Sequence, residues 1–395
     1  MTKKTAQNSI FISDPHGEYE EFFRLTETAK DKLGGQADNI FVLGDIFDRG
    51  PRPDYIMDYL MTENDKVFFT WGNHDILWMG ARLGCMPSIA CALRIAIAYN
   101  NFDLLVNYNI NIESLKKFAI KTYKNDPCER FLIKVFEENE NPIDKDIAVK
   151  MHKAISIIQF KLEKGLLPDD RLLLGSNLYP LRDNHFPTVD KENPFRLTED
   201  EKKVMIDLSE GFMFSKPLKK HIDFMIKNGS IYKVYNNKLL FHACLPRDKK
   251  SIDALDKKIR DAYTNCENLV LFYQLWCMKD SPFFGKEKMT TYERFFVEDN
   301  TTHKEPLDEY FKHIDDPKYA KKLLKEFGID ADKEKNARII NGHIPVRIKD
   351  GESAIKSGGL RIVLDGGMAK SYQKVSGIKG MVMIETMDDK QLIMH

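Results

Sequence analysis

Residues 39–75 read NIFVLGDIFDRGPRPDYIMDYLMTENDKVFFTWGNHD. Two β-rich apolar runs, NIFVLG and KVFFTW, each end in a loop of metal-binding side chains: Asp45 and Asp48 in the first, Asn73 and His74 in the second. Between them DYIMDYLM, after Pro53, has helical periodicity. Strand, ligand loop, helix, strand and ligand loop form the repeating unit of an α/β protein. In open α/β sheets ligands sit beyond the carboxyl ends of strands, where such loops converge.

The same device recurs on both sides of this stretch. Upstream, FISDPHG at 11–17 ends a strand in Asp14 and His16, and EYEEFFRLTETAKDKL reads as the crossover helix to the next strand. Downstream, LLFHA at 239–243 offers His242 and IINGH at 339–343 offers His343. SIYKVYNNKLLFHA predicts a hairpin turning at Asn236 and Asn237. The ending is β-rich again: NARIINGH, GLRIVLDGG, GMVMIET and KQLIMH.

The middle of the chain has another character. SIACALRIAIAYN, IESLKKFAIKTY, CERFLIKVFEE, DIAVKMHKAISIIQFKLEK and EDEKKVMIDLSEGF predict amphipathic helices, and the Pro-rich piece from Pro168 to Pro194 predicts a loop. A further helical stretch is expected from about 251 to 278. The reading is therefore α/β: a discontinuous catalytic domain, 1–84 and 229–395, with a mainly helical insertion over 85–228.

Composition narrows the function. Of 395 residues, 43% are hydrophobic and 30% charged, as in a globular domain. Sixty basic residues balance sixty acidic ones, so no global field draws in nucleic acid or an anionic membrane. No run of eighteen apolar residues predicts a membrane span, and MTKKTAQNSI has no signal-peptide core. Six scattered cysteines without a CxxC pair read as free thiols in a reducing cytoplasm, and Cys244, near His242, reads as a packing residue. A small anionic substrate would be captured by local positive charge.

The candidate ligands are Asp14, His16, Asp45, Asn73, His242 and His343. Asp14 and His16, two apart on one loop, can grip one ion. Asp45 follows Gly44, whose missing side chain lets the loop turn sharply, and its two oxygens can bridge to a second ion completed by Asn73, His242 and His343. Mixed oxygen and nitrogen donors favour Mn²⁺, Fe²⁺, Co²⁺ or Zn²⁺ over an all-oxygen Ca²⁺ or Mg²⁺ cage, with Mn²⁺ the expected metal. Two divalent ions against two carboxylates and a bridging hydroxide leave a positive centre for a phosphate dianion. The expected chemistry is in-line attack of that hydroxide on phosphorus. His74 is placed to protonate the leaving oxygen, Asp48 to hold the imidazole, and Arg49 to fork two phosphate oxygens. Each block alone has a plainer reading as a tight turn, a capped strand end or a structural histidine. Their joint occurrence, in order and each at a strand end, points to a two-metal hydrolase.

These blocks resemble the calcineurin-like metallophosphoesterase superfamily, whose pattern is DxH, GDxxDR, GNHE/D, H and GH. The resemblance implies an αββα sandwich and the division of ligands given above. A narrower resemblance, to class III fructose-1,6-bisphosphatases, runs through GDIFDRGPRPDYIMDYLM, WGNHDILWMGA, LWCMKDSPFFGKEKMTTYERFF, INGHIPVRIKDGESAIK and IVLDGGMAKSYQKVSGIKG. It implies a phosphoric monoester hydrolase removing the 1-phosphate of fructose 1,6-bisphosphate in gluconeogenesis. It also implies a second anion pocket, for which Arg52, Lys356, Lys370 and Tyr372 are the candidates. Only thirty residues separate Asp14 from Asp45, where the family carries a long insertion, so the chain reads as a shortened form. A phosphoprotein or nucleotide phosphatase with the same dimetal centre is the alternative activity, and a non-catalytic scaffold the alternative class. A homo-oligomer is left open.

Overall fold

The computed structural model describes residues 7–134, 143–164 and 171–395. Thirteen strands occur among them: β1 (Ser9–Ile12), β2 (Asn39–Val42), β3 (Val67–Thr70), β4 (Arg171–Leu174), β5 (Asn177–Pro180), β6 (Gly229–Ser230), β7 (Tyr232–Tyr235), β8 (Lys238–Phe241), β9 (Arg338–Asn341), β10 (Ile355–Lys356), β11 (Arg361–Val363), β12 (Val382–Glu385) and β13 (Gln391–Met394). A six-stranded sheet runs β13-β12-β1-β2-β3-β6 and a five-stranded sheet runs β10-β11-β9-β8-β7. Within each sheet the inner strands are parallel: β1 with β2 and β2 with β3 in the first, β8 with β9 and β9 with β11 in the second. Antiparallel strands flank them, β12 beside β1 and β7 beside β8.

Alternation along the strands explains how the sheets stack, because successive side chains point to opposite faces. Ile10, Ile40, Leu239, Ile339 and Val382 join the large core shared with the helices. Their neighbours Phe11, Phe41, Leu240, Ile340 and Met383 join a separate cluster that draws residues from both sheets. In that layer the rings of Phe11 and Phe41 stack at 4.9 Å and Phe41 meets Tyr235 of the other sheet at 4.6 Å. The two sheets therefore pack face to face, with helices against their outer faces. Strands buried on both sides need no polar alternation, which accounts for the continuous apolar runs in the sequence.

Helices Tyr19–Lys32 and Pro53–Glu63 are the crossovers after β1 and β2, and Asn73–Arg82 starts directly after β3. The hairpin at Asn236 and Asn237 forms with both residues at positive φ, 43° and 60°, as a two-residue turn of the primed type requires. Helices Met86–Ala98, Glu113–Thr122, Lys145–Leu162 and Glu199–Phe214 pack on one another and on Asn73–Arg82. No described helix is long and apolar enough to cross a membrane.

Three local expectations are corrected. Lys145–Leu162 forms as the expected helix but without the exposed polar face of an amphipathic one: every residue from Ala148 to Lys161 is buried. Its lysines are tolerated because they are paired, Lys153 with Asp126 (2.7 Å) and Asp183 (2.6 Å), and Lys161 with Glu201 (2.7 Å). CERFLIKVFEE is not helical over its described part, 128–134: Cys128 turns the chain at φ 51° and Phe131 stacks on Phe295 at 4.8 Å. Its remainder lies outside the described residues. The stretch from Pro168 to Pro194 contains the β4–β5 hairpin, and Pro168 itself lies outside the described residues. Helix Lys216–Lys227, capped by Ser215 Oγ on the Leu218 N–H at 3.2 Å, adds to the expected set.

Candidate metal centre

The loops after β1, β2, β3, β8 and β9 meet at one end of the two sheets. Five residues on the first two of them, Asp14, His16, Asp45, Asp48 and Arg49, have positive φ between 45° and 69°, and His343 has 75°. L-residues pay for that conformation, on the order of 1 kcal/mol each, so such a concentration survives only where the surroundings impose it. Here they do. The His16 N–H donates to Asp45 O at 2.8 Å, the Asp14 N–H to Gly44 O at 3.1 Å, and Asp75 accepts from the Asp45 and Ile46 N–H groups at 2.9 Å each. Close approach also needs bare backbone: a Cβ at Gly342 would strike Ser13 and Asp14, and one at Gly72 would strike Asp45.

The histidines are oriented alike. His16 Nδ1 lies 3.1 Å from Phe47 O, His242 Nδ1 2.8 Å from Leu43 O, and His343 Nε2 3.0 Å from Phe284 O. A carbonyl only accepts, so each of those nitrogens carries the proton and the other ring nitrogen turns a lone pair inward. His242 Nε2 then faces His343 Nδ1 at 3.1 Å, Asn73 Oδ1 at 3.2 Å and Asp45 Oδ2 at 3.5 Å. Acceptors facing acceptors call for a cation between them. Asp45 Oδ2 also lies 3.7 Å from His16 Nε2, so one carboxylate oxygen sits between the two imidazole groups. His16, Asp45 and His74 form one set of donor atoms that could hold an ion; Asp45, His242 and His343 form a second.

Charge tells the same story. Burial, reinforced by Asp365, pushes the Asp14 carboxyl up; burial and Asp75 do so for Asp45; and burial pushes Asp365 itself up to about 6. Burial and the Arg49 guanidinium hold His16 and His74 well below the ordinary imidazole value, and burial with His242 does the same for His343. Crowded carboxylates and neutral imidazoles are the donor set a divalent cation relieves.

Beside these donors runs a chain of polar side chains. His74 Nδ1 meets Asp48 Oδ2 at 2.6 Å, Trp78 Nε1–H donates to Asp48 Oδ1 at 2.8 Å, and Arg49 Nη2–H donates to His74 Nε2 at 3.1 Å. Burial pushes Asp48 up to about 7 and the imidazole down, so the pair holds one proton between them. Arg49 also reaches His16 Nε2 at 3.4 Å and stacks on Tyr372 at 4.6 Å.

The donors open into a cleft of about 610 Å³ lined by Arg49, His74, Tyr99, Trp276, Asp365 and Tyr372 among others. Tyr372 is the one of the four second-pocket candidates in its lining. Arg52 instead forks Asp54 (3.0 and 2.6 Å) and stacks on Tyr55 at 3.3 Å. Lys356 bonds Glu352 at 2.5 Å on β10, and the Lys370 N–H donates to Glu18 at 3.0 Å. Asp365, in the DGG after β11, was not singled out by spacing, nor were the cleft cations Arg94, Lys134, Lys286 and Arg294. Cys244 is buried with its Sγ toward Ser281 O at 3.4 Å, bonded away from the donors.

A family model described as Firmicute fructose-1,6-bisphosphatase matches residues 35–173 and 167–395. The fructose-1,6-bisphosphatase class 3 of Clostridium botulinum (strain Langeland) is 40% identical over 391 residues, covering 88% of this chain and 58% of that protein. That of Clostridium tetani (strain Massachusetts) matches to the same extent, 40% over 391 residues with 88% and 58% covered. The chain thus spans 58% of the length of these curated relatives. A solved cold-active protein tyrosine phosphatase aligns over 98% of this chain and 78% of its own at 11% identity and a TM-score of 0.43, too distant to bear on fold or activity. With its matched residues taking in every candidate ligand from Asp45 to His343, the chain belongs to the Firmicute fructose-1,6-bisphosphatase family.

Proposed function

We propose that this protein is a metal-dependent fructose-1,6-bisphosphate 1-phosphatase of the metallophosphoesterase type. In this reading the two facing sheets and their outer helices are the αββα sandwich of that superfamily. Residues 1–84 and 229–395 then make the catalytic unit and 85–228 a helical insertion, in a compact form with thirty residues between Asp14 and Asp45. The observation that carries the reading is the convergence of Asn73 Oδ1, His242 Nε2, His343 Nδ1 and Asp45 Oδ2, all electron-pair donors, at the base of a cleft rich in arginine and lysine.

Asp14, His16 and Asp45 would hold one divalent ion and Asp45, Asn73, His242 and His343 the other, with Mn²⁺ the expected metal. Such a pair, when bound, neutralises a phosphate dianion and lowers the pKa of water beside it. Arg49 presents two Nη groups to phosphate oxygens. In doing so it releases His74 Nε2, which it otherwise blocks at 3.1 Å, and that atom, once it has taken up a second proton from solvent, can pass it to the departing alkoxide. Asp48, itself held by the Trp78 N–H, keeps the ring turned through Nδ1. The buried cysteines suit a reducing cytoplasm.

The test is phosphate release from fructose 1,6-bisphosphate with and without Mn²⁺, beside fructose 6-phosphate and a phosphopeptide. Selective, metal-dependent release from the bisphosphate is expected. Faster turnover of the phosphopeptide would replace the substrate and keep the centre.

A further inference from the structure

Asp365 has no role in the chemistry above, yet the fold builds a place for it. β9 and β11 run parallel with Asn341 opposite Val363, and the Leu364 N–H donates to Asn341 O at 2.8 Å. His343 and Asp365 each stand two residues past that pair, so their loops leave the sheet side by side. The Val346 N–H ties the two loops together on Asp365 O at 2.9 Å. Asp14 joins them from the other sheet: its Oδ2 accepts the His343 N–H at 3.0 Å and the Ser13 hydroxyl. Both glycines of the DGG are needed for the turn. A Cβ at Gly366 would strike the Gly380–Met381 backbone, and Gly367 has φ 66°. In that turn the Gly367 N–H donates to Asp365 Oδ1 at 2.8 Å and holds the carboxylate.

The other oxygen is left over. Asp365 is only 3% exposed, in the lining of the cleft it shares with His16, Asp45 and His343. Among the described residues its Oδ2 has no hydrogen-bond partner. Burial raises this carboxyl to about 6, with the Gly367 N–H, Arg49 and His242 easing the cost, so it is ionised above neutral pH. Its charge also pushes up Asp14 and, more weakly, Asp45. A buried carboxylate oxygen without a donor is costly unless solvent or a ligand supplies one. The proposed ligand sets leave room for such a donor, because they are unequal. Asp45, Asn73, His242 and His343 give one cation four protein donors, whereas Asp14, His16 and Asp45 give the other three. Solvent fills the remaining places of a three-donor set, and its hydrogens need acceptors.

Resting on the two-metal phosphatase reading above, we propose that Asp365 is the outer carboxylate of the three-donor cation site. Its Oδ2 accepts a hydrogen from the solvent molecule that attacks phosphorus, on the Asp14 side of the cleft. That bond turns a lone pair of the solvent oxygen toward the substrate. The carboxylate charge also strengthens cation binding from outside the ring of ligands. Asp365 makes and breaks no covalent bond; it aligns the nucleophile and raises metal affinity.

The test uses the full chain, with Asp365→Asn and Asp365→Ala beside the parent. Asparagine keeps an oxygen for the Gly367 N–H and removes the charge; alanine removes both. Mn²⁺ is titrated into chelator-treated protein by calorimetry, and melting is followed at about pH 8, where the carboxyl is ionised, with and without Mn²⁺. Asp365→Asn should weaken one of the two Mn²⁺ sites about ten- to a hundredfold. It should raise the melting temperature of the metal-free protein, because a buried charge is gone, and lower that of the Mn²⁺-loaded protein. At saturating Mn²⁺ its kcat for phosphate release should fall about tenfold or more with KM nearly unchanged. Asp365→Ala should lose the metal-free gain, since the Gly367 N–H is then unpaired. Unchanged Mn²⁺ binding overturns the assignment, as does an unchanged kcat at saturating Mn²⁺. A melting temperature that Asp365→Asn moves the same way with and without metal overturns it too. Failure of the activity reading looks different: the parent would bind Mn²⁺ yet release no phosphate from fructose 1,6-bisphosphate. The metal titration, the paired melting temperatures and kcat on p-nitrophenyl phosphate would then still decide the role of Asp365.

Discussion

Asp45 is held in a left-handed conformation, accepts the His74 backbone N–H through Oδ1 at 2.9 Å, and points Oδ2 between His16 and His242. His74, by contrast, has its Nδ1 on Asp48 and its Nε2 on Arg49, so its ring serves proton transfer in the proposed chemistry. Two substitutions separate these roles. Asp45→Asn should abolish phosphate release and lower the content of both metals by elemental analysis. His74→Asn should slow turnover about a hundredfold or more with metal content intact. Equal metal loss in both would overturn the division. The candidate ligands were legible because their types and spacing recur as short blocks after apolar runs. Asp365 was not: a lone Asp before two glycines has no partner in sequence, and it reaches the cleft because β11 pairs beside β9.

Elements are tied together at this site by side chains that touch no ligand. Asp75 caps helix Asn73–Arg82 through the Gly72 N–H at 2.9 Å and also takes the Asp45 and Ile46 N–H groups. One carboxylate thereby locks the β3–helix junction to the loop after β2. Asp75→Ala would leave three buried N–H groups unpaired, at roughly 3 kcal/mol or more in all. A lowered melting temperature with weakened metal affinity is expected, and an unchanged melting temperature would refute the lock. Helix Lys145–Leu162 shows where periodicity stops informing. Its periodicity predicts an amphipathic helix, yet Lys153 and Lys161 are buried because Asp126, Asp183 and Glu201 arrive from distant segments to pair with them.

Over the whole molecule those buried pairs bear on acid stability. Burial alone would raise the Asp126 carboxyl, but hydrogen bonds from Lys153 and His185 outweigh it and bring it down to about 2. A carboxyl lowered on folding contributes stability that is complete above its ordinary value near 4 and lost as pH falls towards 2. Acid unfolding followed by circular dichroism should therefore steepen between about pH 4 and 2. Asp126→Asn should flatten that limb and lower stability at neutral pH; an unaltered limb would show that the pair contributes nothing. Metal removal acts on another term. Burial raises the carboxyls of Asp14, Asp45 and Asp365, and neighbouring carboxylates add to it for Asp14 and Asp45; a bound cation offsets both costs, so chelation should lower the melting temperature and added Mn²⁺ restore it.

The sequence by itself determined the α/β class, the order of the ligand blocks and the helical middle, because side-chain periodicity and short motifs act over a few residues. The tertiary structure alone decided which cations share the cleft, which histidine nitrogens turn inward, and that Arg52 and Lys356 find partners elsewhere. Those outcomes depend on contacts between residues far apart in the chain, such as His242 with Leu43 and Arg94 with Gln159. Local spacing carries no record of such contacts; only strand order and helix packing create them.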